Sequence, residues 1–591
     1  FMKKKILLLV AAAFMLNSCE DLFEPAKENF KDEQQMHDDP AYAQGFLLRA
    51  YGNIPGYYNN SEYATDDAVI NQKSDSYLTM ATGGWTSRLW TSIDEWSRSF
   101  SAIQYINLFL ENVDQVKWAQ DPEKAQLLAL RTKGEAYGLR GMFYYYLLRA
   151  HAGYSESGEL LGVPCITEYL TVTSQLNLPR ASFQACVEQI YSDLAKAEEL
   201  LPLEYKDETE VPAKYQSITQ DVGKFNNAVG AKFNQLFNGL IARSYRARTA
   251  LLAASPAFQD ASNATTWADA ANAAAEVINY NGGIGGIAED GVEYYDSKIA
   301  DKLEGGVNPK EIVWRQNVAS ENAQESSNFP PSLNGNGNMN PSQNLVDAFP
   351  MENGYPITPD YIDVSGYQEH SPYEKRDPRL AKYVIYNGST AGVANTLIYT
   401  GRNSGTDDGI NVKEQRSTRT GYYMRKRLRM DVNCAIGSTT TKPHYNPRIR
   451  YTEMYLTYAE AANEAWGPKG SNGNGYSAYD VIKAIRKRAG VGGTADPYLE
   501  KCASDKDEMR KLIRNERRLE LCFEGFRFWD LRRWKEDLNQ PVYGIDWDKN
   551  SGTFKTFEVE KRDYEDYMYY CPIPNSEILK FSNLVQNKGW K

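Results

Sequence analysis

The stretch from Arg514 to Trp534 reads Arg-Asn-Glu-Arg-Arg-Leu-Glu-Leu-Cys-Phe-Glu-Gly-Phe-Arg-Phe-Trp-Asp-Leu-Arg-Arg-Trp. Together with Leu512 just ahead of it, Leu519, Cys522, Phe523 and Phe526 recur at helical spacing, which predicts a helix with one apolar stripe. Charges alternate along the same stretch: Arg514, Glu516, Arg517, Arg518, Glu520, Glu524, Arg527 and Asp530. Glu516, Glu520 and Glu524 lie one turn apart, so they need arginine partners from this helix or a neighbour. Gly525 interrupts the run of helix formers, and Trp529 and Trp534 follow. A wholly solvated helix has no use for so many aromatics, and a wholly buried one cannot hold so many unpaired charges. The stretch reads as a scaffold that locks other helices together, and Cys522 on its stripe as a small buried hydrophobe.

Around it, the chain has 591 residues, a net charge of −11 and 41 tyrosines. Its basic clusters are interleaved with acids, which disfavours nucleic-acid binding, because phosphate contacts need an unneutralised basic face. At the other end Lys3, Lys4 and Lys5 precede an apolar run from Ile6 to Leu16 that is too short to span a bilayer. That is the pattern of a secretory leader over residues 1–18. Leu16-Asn17-Ser18-Cys19 looks like a bacterial lipobox, making Cys19 the lipid-attachment residue and anchoring the chain without a spanning helix. Residues 19–40 are acidic and polar and read as a tether. The six remaining cysteines make no C-x-x-C pair, so no zinc or thioredoxin-like motif is indicated. One or two disulfides would suit an exported chain without being required, and their connectivity stays open.

Helical spacing covers Ala41 to Tyr51, Trp96 to Val113, a long run from Asp121 past Tyr146, a run capped by Ser182 and ending near Leu201, Phe233 to Ala254, and Trp267 to Asn279. In the long run, Gly134, Ala136, Gly138 and Gly141 sit beside Tyr137, Phe143 and Tyr144, a small-against-large alternation that lets two helices approach closely. Residues 52–92 and 280–450 are rich in Gly, Asn, Ser, Pro and Asp, with short strand-like runs at Glu311 to Arg315 and Leu397 to Tyr399. The segment from Glu321 to Asn344 reads as a long polar loop, a type of segment that is usually functional or disordered. Helical pairing resumes from Arg450 to Ala465 and from Ala478 to Ala489, stopped by Gly490. The expected fold is mainly α, with degenerate tetratricopeptide-like helix pairs over about 96–280 and 450–534, set in one domain over 41–591. An irregular helical domain without repeats is the alternative.

Catalytic signatures are missing. The four histidines, His37, His151, His370 and His444, form no H-E-x-x-H, and there is no G-x-S-x-G elbow and no Walker A. Asp66-Asp67 and Asp407-Asp408 are adjacent acids, but a glycosidase needs two carboxyl groups facing each other across a bond. No enzymatic activity and no cofactor are expected. The acidic loops leave room for one structural calcium ion.

With these residues laid out, the chain resembles the SusD/RagB family of surface nutrient-binding lipoproteins from Bacteroidetes. The resemblance rests on Cys19, Gly134-Glu135-Ala136 through Tyr146, Ala242-Arg243 through Pro256, Leu345 to Phe349, and Arg376-Asp377-Pro378-Arg379. Arg450-Tyr451 through Ala465, Arg514 to Trp534, and Pro572-Ile573-Pro574 with Gln586-Asn587 complete it. It implies a SusD-like fold of tetratricopeptide-like helix pairs supporting an irregular ligand-binding half, held by lipid on the outer face of the outer membrane. It also implies a partner, a SusC-like TonB-dependent transporter, over which such a protein acts as a lid, and an oligosaccharide ligand. A peptide ligand, as in a minority of the family, and a surface glycosidase remain as alternatives.

The family's binding residues vary with the ligand, so physical chemistry selects the candidates: aromatic faces for sugar C–H surfaces and polar groups for hydroxyls. The set is Asp66, Asp67, Tyr77, Trp85, Arg88 and Trp90, with Tyr294 and Tyr295 as a second group and Trp314 as a third. Trp85, flanked by Gly83 and Gly84, is expected to be exposed. The spacing of Trp90 and Trp96 favours helix packing, and Trp314 sits in an apolar run that would equally suit the core.

Overall fold

A computed structural model describes residues 33–56, 58–303 and 306–591. The expected leader, Cys19 and the first part of the tether lie outside the described residues. Within the remainder of that tether, residues 33–38 are helical and docked: His37 Nε2 meets Asn112 Oδ1 at 2.8 Å, and Lys117 pairs with Asp38.

Ten principal helices carry the fold: α1 (Pro40–Gly52), α2 (Trp96–Asn112), α3 (Pro122–His151), α4 (Phe183–Leu200), α5 (Gly239–Ala254), α6 (Trp267–Tyr280), α7 (Tyr451–Trp466), α8 (Ala478–Ala489), α9 (Lys506–Glu520) and α10 (Arg527–Trp534). Their starts are set by side chains that accept the first free N–H groups. Asp121 accepts from Lys124 N, Ser182 from Ala185 N, and Asn238 from Ile241 N, so α5 begins at Gly239 rather than at Phe233. Thr266 with Asp269 and Ser477 with Asp480 form capping boxes, and Gly490 ends α8 with φ +79°.

Successive helices pack as neighbours: α2 on α3, α3 on α4, α5 on α6, α7 on α8, with α6 and α9 both against α7. This is the tetratricopeptide-like architecture. The small residues of α3 make it close. A Cβ on Gly134 would meet Leu201 at 2.6 Å, and one on Gly138 would meet the Phe237 ring at 2.2 Å.

A second core is built from the stretches that look irregular in sequence. Tyr63, Trp85, Phe329, Phe349, Tyr422, Phe523, Phe528, Tyr564 and Trp590 are among its buried members. Two short antiparallel pairs tie it together, β1 (Ala68–Ile70) with β3 (Met339–Pro341) and the hairpin β5 (Val542–Trp547) with β6 (Phe554–Glu560), while β2 (Ile312–Arg315) pairs with β4 (Pro447–Arg450) and places Val313, Trp314 and Ile449 in the helical core. The expected polar loop from Glu321 to Asn344 is in fact packed structure. It holds a short helix, Ala323–Asn328, and β3, and its Glu325 is fully buried, accepting from Arg429 N at 2.7 Å.

The opening stretch is two helices, not one. After Glu520 the chain reverses through Phe523 (φ +62°) and Gly525 (φ +81°) before α10 begins. The expected single apolar stripe through Phe526 therefore breaks. The turn instead aims Glu524 inward and lets Gly525 N donate to buried Glu62. The three glutamates do find cations, from outside the stretch. Arg379 reaches Glu516 (2.9 Å) and Glu520 (3.0 Å), Arg486 reaches Glu516 (2.8 Å), Arg488 reaches Glu520 (2.7 Å), and Arg450 and Lys426 reach Glu524 (2.8 and 2.6 Å). Arg517 turns the other way, to Asp530 at 2.8 Å.

Candidate functional site

In the loop-rich half, two partly accessible aromatics meet where residues 399–405 lie along the β5–β6 hairpin. Tyr399 and Trp547 stack with ring centroids 5.7 Å apart and planes 22° off parallel, both half-buried. Local chemistry fixes them. Trp547 faces Phe554 across the hairpin, whose turn is held by Asp548 accepting from Asn550 N and Ser551 N. Gly401 lies so close that a Cβ there would meet the Trp547 carbonyl oxygen at 2.0 Å, which admits no larger residue. Arg402 donates from its backbone to Asp546 (3.0 Å), pairs with it through Nε (3.2 Å), and lies 4.5 Å over the Phe557 ring. Asn403 accepts from Lys549 N at 2.9 Å. The result is a half-buried aromatic pair edged by a guanidinium, carboxylates and an amide, residue types that pack on sugar C–H groups and meet hydroxyls.

The same loop continues into one wall of a cleft of about 440 Å³. Asn411, Lys413, Glu414, Gln415, Ser417 and Arg419 face Ile70, Asn71, Lys73 and Leu78 across it. Gln72 donates to the Gln415 carbonyl at 2.6 Å, and the Lys73 ammonium, bonded to Glu414, holds that carboxyl below its usual range. The cleft therefore joins the two stretches, 52–92 and 280–450, in which a ligand site is expected from sequence.

Most of the residues named from sequence are not on this surface. Trp85 is only 4% exposed, packed edge-on against Trp590 (4.9 Å), Phe528 and Tyr564. Its expected exposure is corrected: the adjacent glycines serve tight backbone contacts, Gly84 against Thr79 and Gly83 against Asp563. Tyr77 is buried with its hydroxyl 2.6 Å from Ser92. Tyr294 is fully buried and Trp314 is a core residue of β2 whose Nε1 donates to the Gln235 carbonyl. Asp66 and Asp67 are buried against Arg518 and Arg527 from the opening stretch. Burial opposes ionisation of Asp66, but the two guanidiniums outweigh it and hold its carboxyl well below the usual range. Burial, with Asp66 alongside, pushes Asp67 up. Trp85, Tyr77, Tyr294 and Trp314 are thus committed to the core, while Asp66 lines a cleft of about 520 Å³ with Arg518 and Arg527, its carboxylate already paired with both.

Arg88 and Trp90 are exposed, Trp90 by 65%, which corrects the expectation that Trp90 packs in a helix. Residues 86–89 form a turn pinned by Ser87, whose carbonyl accepts from Asn575 N, and this lifts Trp90 out. Tyr295 is half-buried and lines a separate cleft of about 360 Å³ with Glu293, Asp296, Lys382, Arg425 and Asp431. Tyr399 and Trp547 were missed in sequence. The available signal was an aromatic between two acids at the end of an alternating run, followed by a Lys-Asn-Ser-Gly turn.

The other adjacent acids are also engaged: Asp407 pairs with Lys413 at 2.7 Å, and Asp408 accepts from Ser332 N at 2.8 Å. Among the described residues, no three His, Cys, Asp or Glu side chains converge as a metal-binding group, and no helix is long and apolar enough to cross a membrane.

A family model described as the SusD family matches residues 310–590, and a second, described as "Starch-binding associating with outer membrane", matches residues 42–217. SusD-like protein P38 of Formosa agariphila is 23% identical over 564 residues, covering 92% of this chain and 93% of that protein. A SusD-like protein from Bacteroides fragilis aligns in structure with a TM-score of 0.72 at 24% identity, over 96% of this chain and all of the other. A "Laminarin binding SusD-like protein" aligns with a TM-score of 0.54 at 17% identity, over 93% of this chain and 99% of the other.

Proposed function

The chain belongs to the SusD family, and from that membership we propose that it captures oligosaccharides at the bacterial surface and passes them to a SusC-like TonB-dependent transporter, which it covers as a lid. The observation that carries the ligand class is the half-exposed Tyr399–Trp547 stack with its polar edge, beside the cleft walled by residues 70–78 and 411–419. A sugar ring laid on Trp547 would find Arg402, Asp546 and Asn403 within one loop of its hydroxyls, and Trp90 with Arg88 supplies a second exposed aromatic contact. The laminarin-binding relative is consistent with a glucan ligand. Residues 1–18 act as the leader, Cys19 carries the lipid, and residues 41–591 function as one domain at the outer membrane. Capture and release need no covalent step.

The test is calorimetric titration of the purified protein with a panel of soluble glucans, laminarin included, alongside the Trp547→Ala variant. The expected result is heat with at least one glycan and about ten-fold weaker binding in the variant, one ring-stacking contact's worth. An unchanged affinity in a folded Trp547→Ala protein removes the platform. Heat with peptides alone moves the ligand class to peptides.

A further inference from the structure

Six cysteines are described, and all are free thiols. Cys502, Cys522 and Cys571 are buried singly, and Cys434 packs against the second core with its sulfur 3.7 Å from the Ser326 hydroxyl. Cys165 and Cys186 differ: their sulfurs are 3.4 Å apart, the one pair of described cysteines in contact. We infer that Cys165 and Cys186 form an intramolecular disulfide in the exported protein, stapling the irregular segment after α3 to the first turn of α4. The inference rests on the export proposed above, because that compartment is what makes a disulfide durable.

The backbone is already arranged for the bond. Residues 152–182 are folded back on the start of α4 without it. Gly153–Tyr154 pairs with Leu160–Leu161, Gly162 N donates to the Ala181 carbonyl, and Ala181 N donates to the Val163 carbonyl. Arg180 ties the same segment through the carbonyls of Gly162 (2.7 Å), Leu161 (3.0 Å) and His151 (3.1 Å). The sulfurs thus stand roughly 1.4 Å beyond bonding distance, within reach of side-chain rotation.

Accessibility and acidity divide the roles. Cys165 is partly exposed and Cys186 is fully buried. The contact between the two sulfurs favours the Cys186 thiolate, and that same contact, with burial, pushes the Cys165 thiol up. Access, not acidity, decides where oxidation begins: Cys165 is the sulfur that a small-molecule disulfide such as oxidised glutathione can reach, although its thiolate is the less favoured of the two. Its thiolate attacks one glutathione sulfur, forming a mixed disulfide and releasing one glutathione thiolate. Cys186 then attacks the Cys165 sulfur, the protein disulfide forms, and the second glutathione leaves as thiolate. The two protein thiol protons end on the two released thiolates, and two electrons pass from the protein to glutathione. The bond would close a short loop, restricting the unfolded chain there and raising stability.

The test is alkylation and peptide mapping of the purified full chain after equilibration with oxidised glutathione, without any sugar present. The expected result is loss of two thiols, a crosslinked peptide joining Cys165 to Cys186 that is lighter by two hydrogens, and a higher thermal midpoint than the reduced protein. In Cys165→Ser the crosslink and the midpoint difference both vanish, while Cys434→Ser keeps both. Two alkylatable thiols at these positions, or separate glutathione adducts on each, overturn the inference whatever the sugar titrations give. Protein that crosslinks in vitro but is recovered from the cell surface with both thiols free overturns it independently of the geometry.

Discussion

Trp85 and Trp90 stand five residues apart with opposite fates, and that difference is measurable. Trp85 fills a space bounded by Trp590, Phe528 and Tyr564, with the Arg532 guanidinium 5.2 Å over its ring. Trp85→Ala should cost about 3–5 kcal/mol in denaturant unfolding, the usual range for emptying an aromatic core site, and leave the sugar affinity of the folded protein unchanged. Trp90→Ala should change stability by about 0.5 kcal/mol or less, with any effect falling on ligand binding. Glu95 offers a second residue-scale test. It is buried with one carboxyl oxygen unpartnered, and burial, against the opposing pull of Arg149 and Arg98, pushes it up to about 8. The folded chain then keeps a proton that the unfolded chain releases above its ordinary value near ~4.3. Its contribution is therefore full at low pH and is lost as pH rises from about 4.3 to about 8. Glu95→Gln should flatten that loss, so that its stability relative to the parent improves by a few kcal/mol between pH 5 and pH 8, read by urea unfolding at both.

At the scale of elements, the hub is the α9–turn–α10 unit, and its energetics turn on Glu520. Burial penalises this carboxylate, but Arg488, Arg379, Arg450 and Lys426 outweigh the penalty and hold it at about 2. Its contribution is present above the ordinary glutamate value and is lost as pH falls from about 4.3 towards 2. Glu520→Gln should therefore cost about 3–5 kcal/mol at neutral pH, because several buried guanidiniums lose their common partner, and should shrink the acid-induced loss measured between pH 5 and pH 2. The α3 packing makes a separate prediction. Gly138→Ala gains helix propensity of about 1 kcal/mol, yet its Cβ would overlap the Phe237 ring at 2.2 Å. Overpacking should win, destabilising by about 1–3 kcal/mol in the same unfolding assay. The helices themselves are legible in sequence because caps and periodicity act locally. The reversal at Phe523 and Gly525 is not, because Glu62, Lys426 and Arg450 stabilise it from distant parts of the chain.

For the whole molecule, the two larger cores divide the work: helix pairs form one, and the irregular stretches fold into the other and carry the half-buried stack and the cleft. If the proposed partnership holds, mild detergent extraction should recover a large outer-membrane barrel with this chain, and Trp547→Ala should weaken glycan binding about ten-fold while keeping that barrel. Recovery of the chain alone under crosslinking would count against the lid. The sequence by itself determined the mainly helical, tetratricopeptide-like architecture and the need of Glu516, Glu520 and Glu524 for buried cations, since helical period, caps and charge imbalance are properties of short windows; the family was legible through motif resemblance along the chain. Only the tertiary structure decided which partners meet those glutamates and which aromatics face solvent. Asp66 and Asp67 look like ligand groups until Arg518 and Arg527, more than 400 residues away in sequence, are seen to claim them. Exposure is a property of everything packed around a side chain, and a loop's composition says nothing of what arrives from the other end of the chain to cover it.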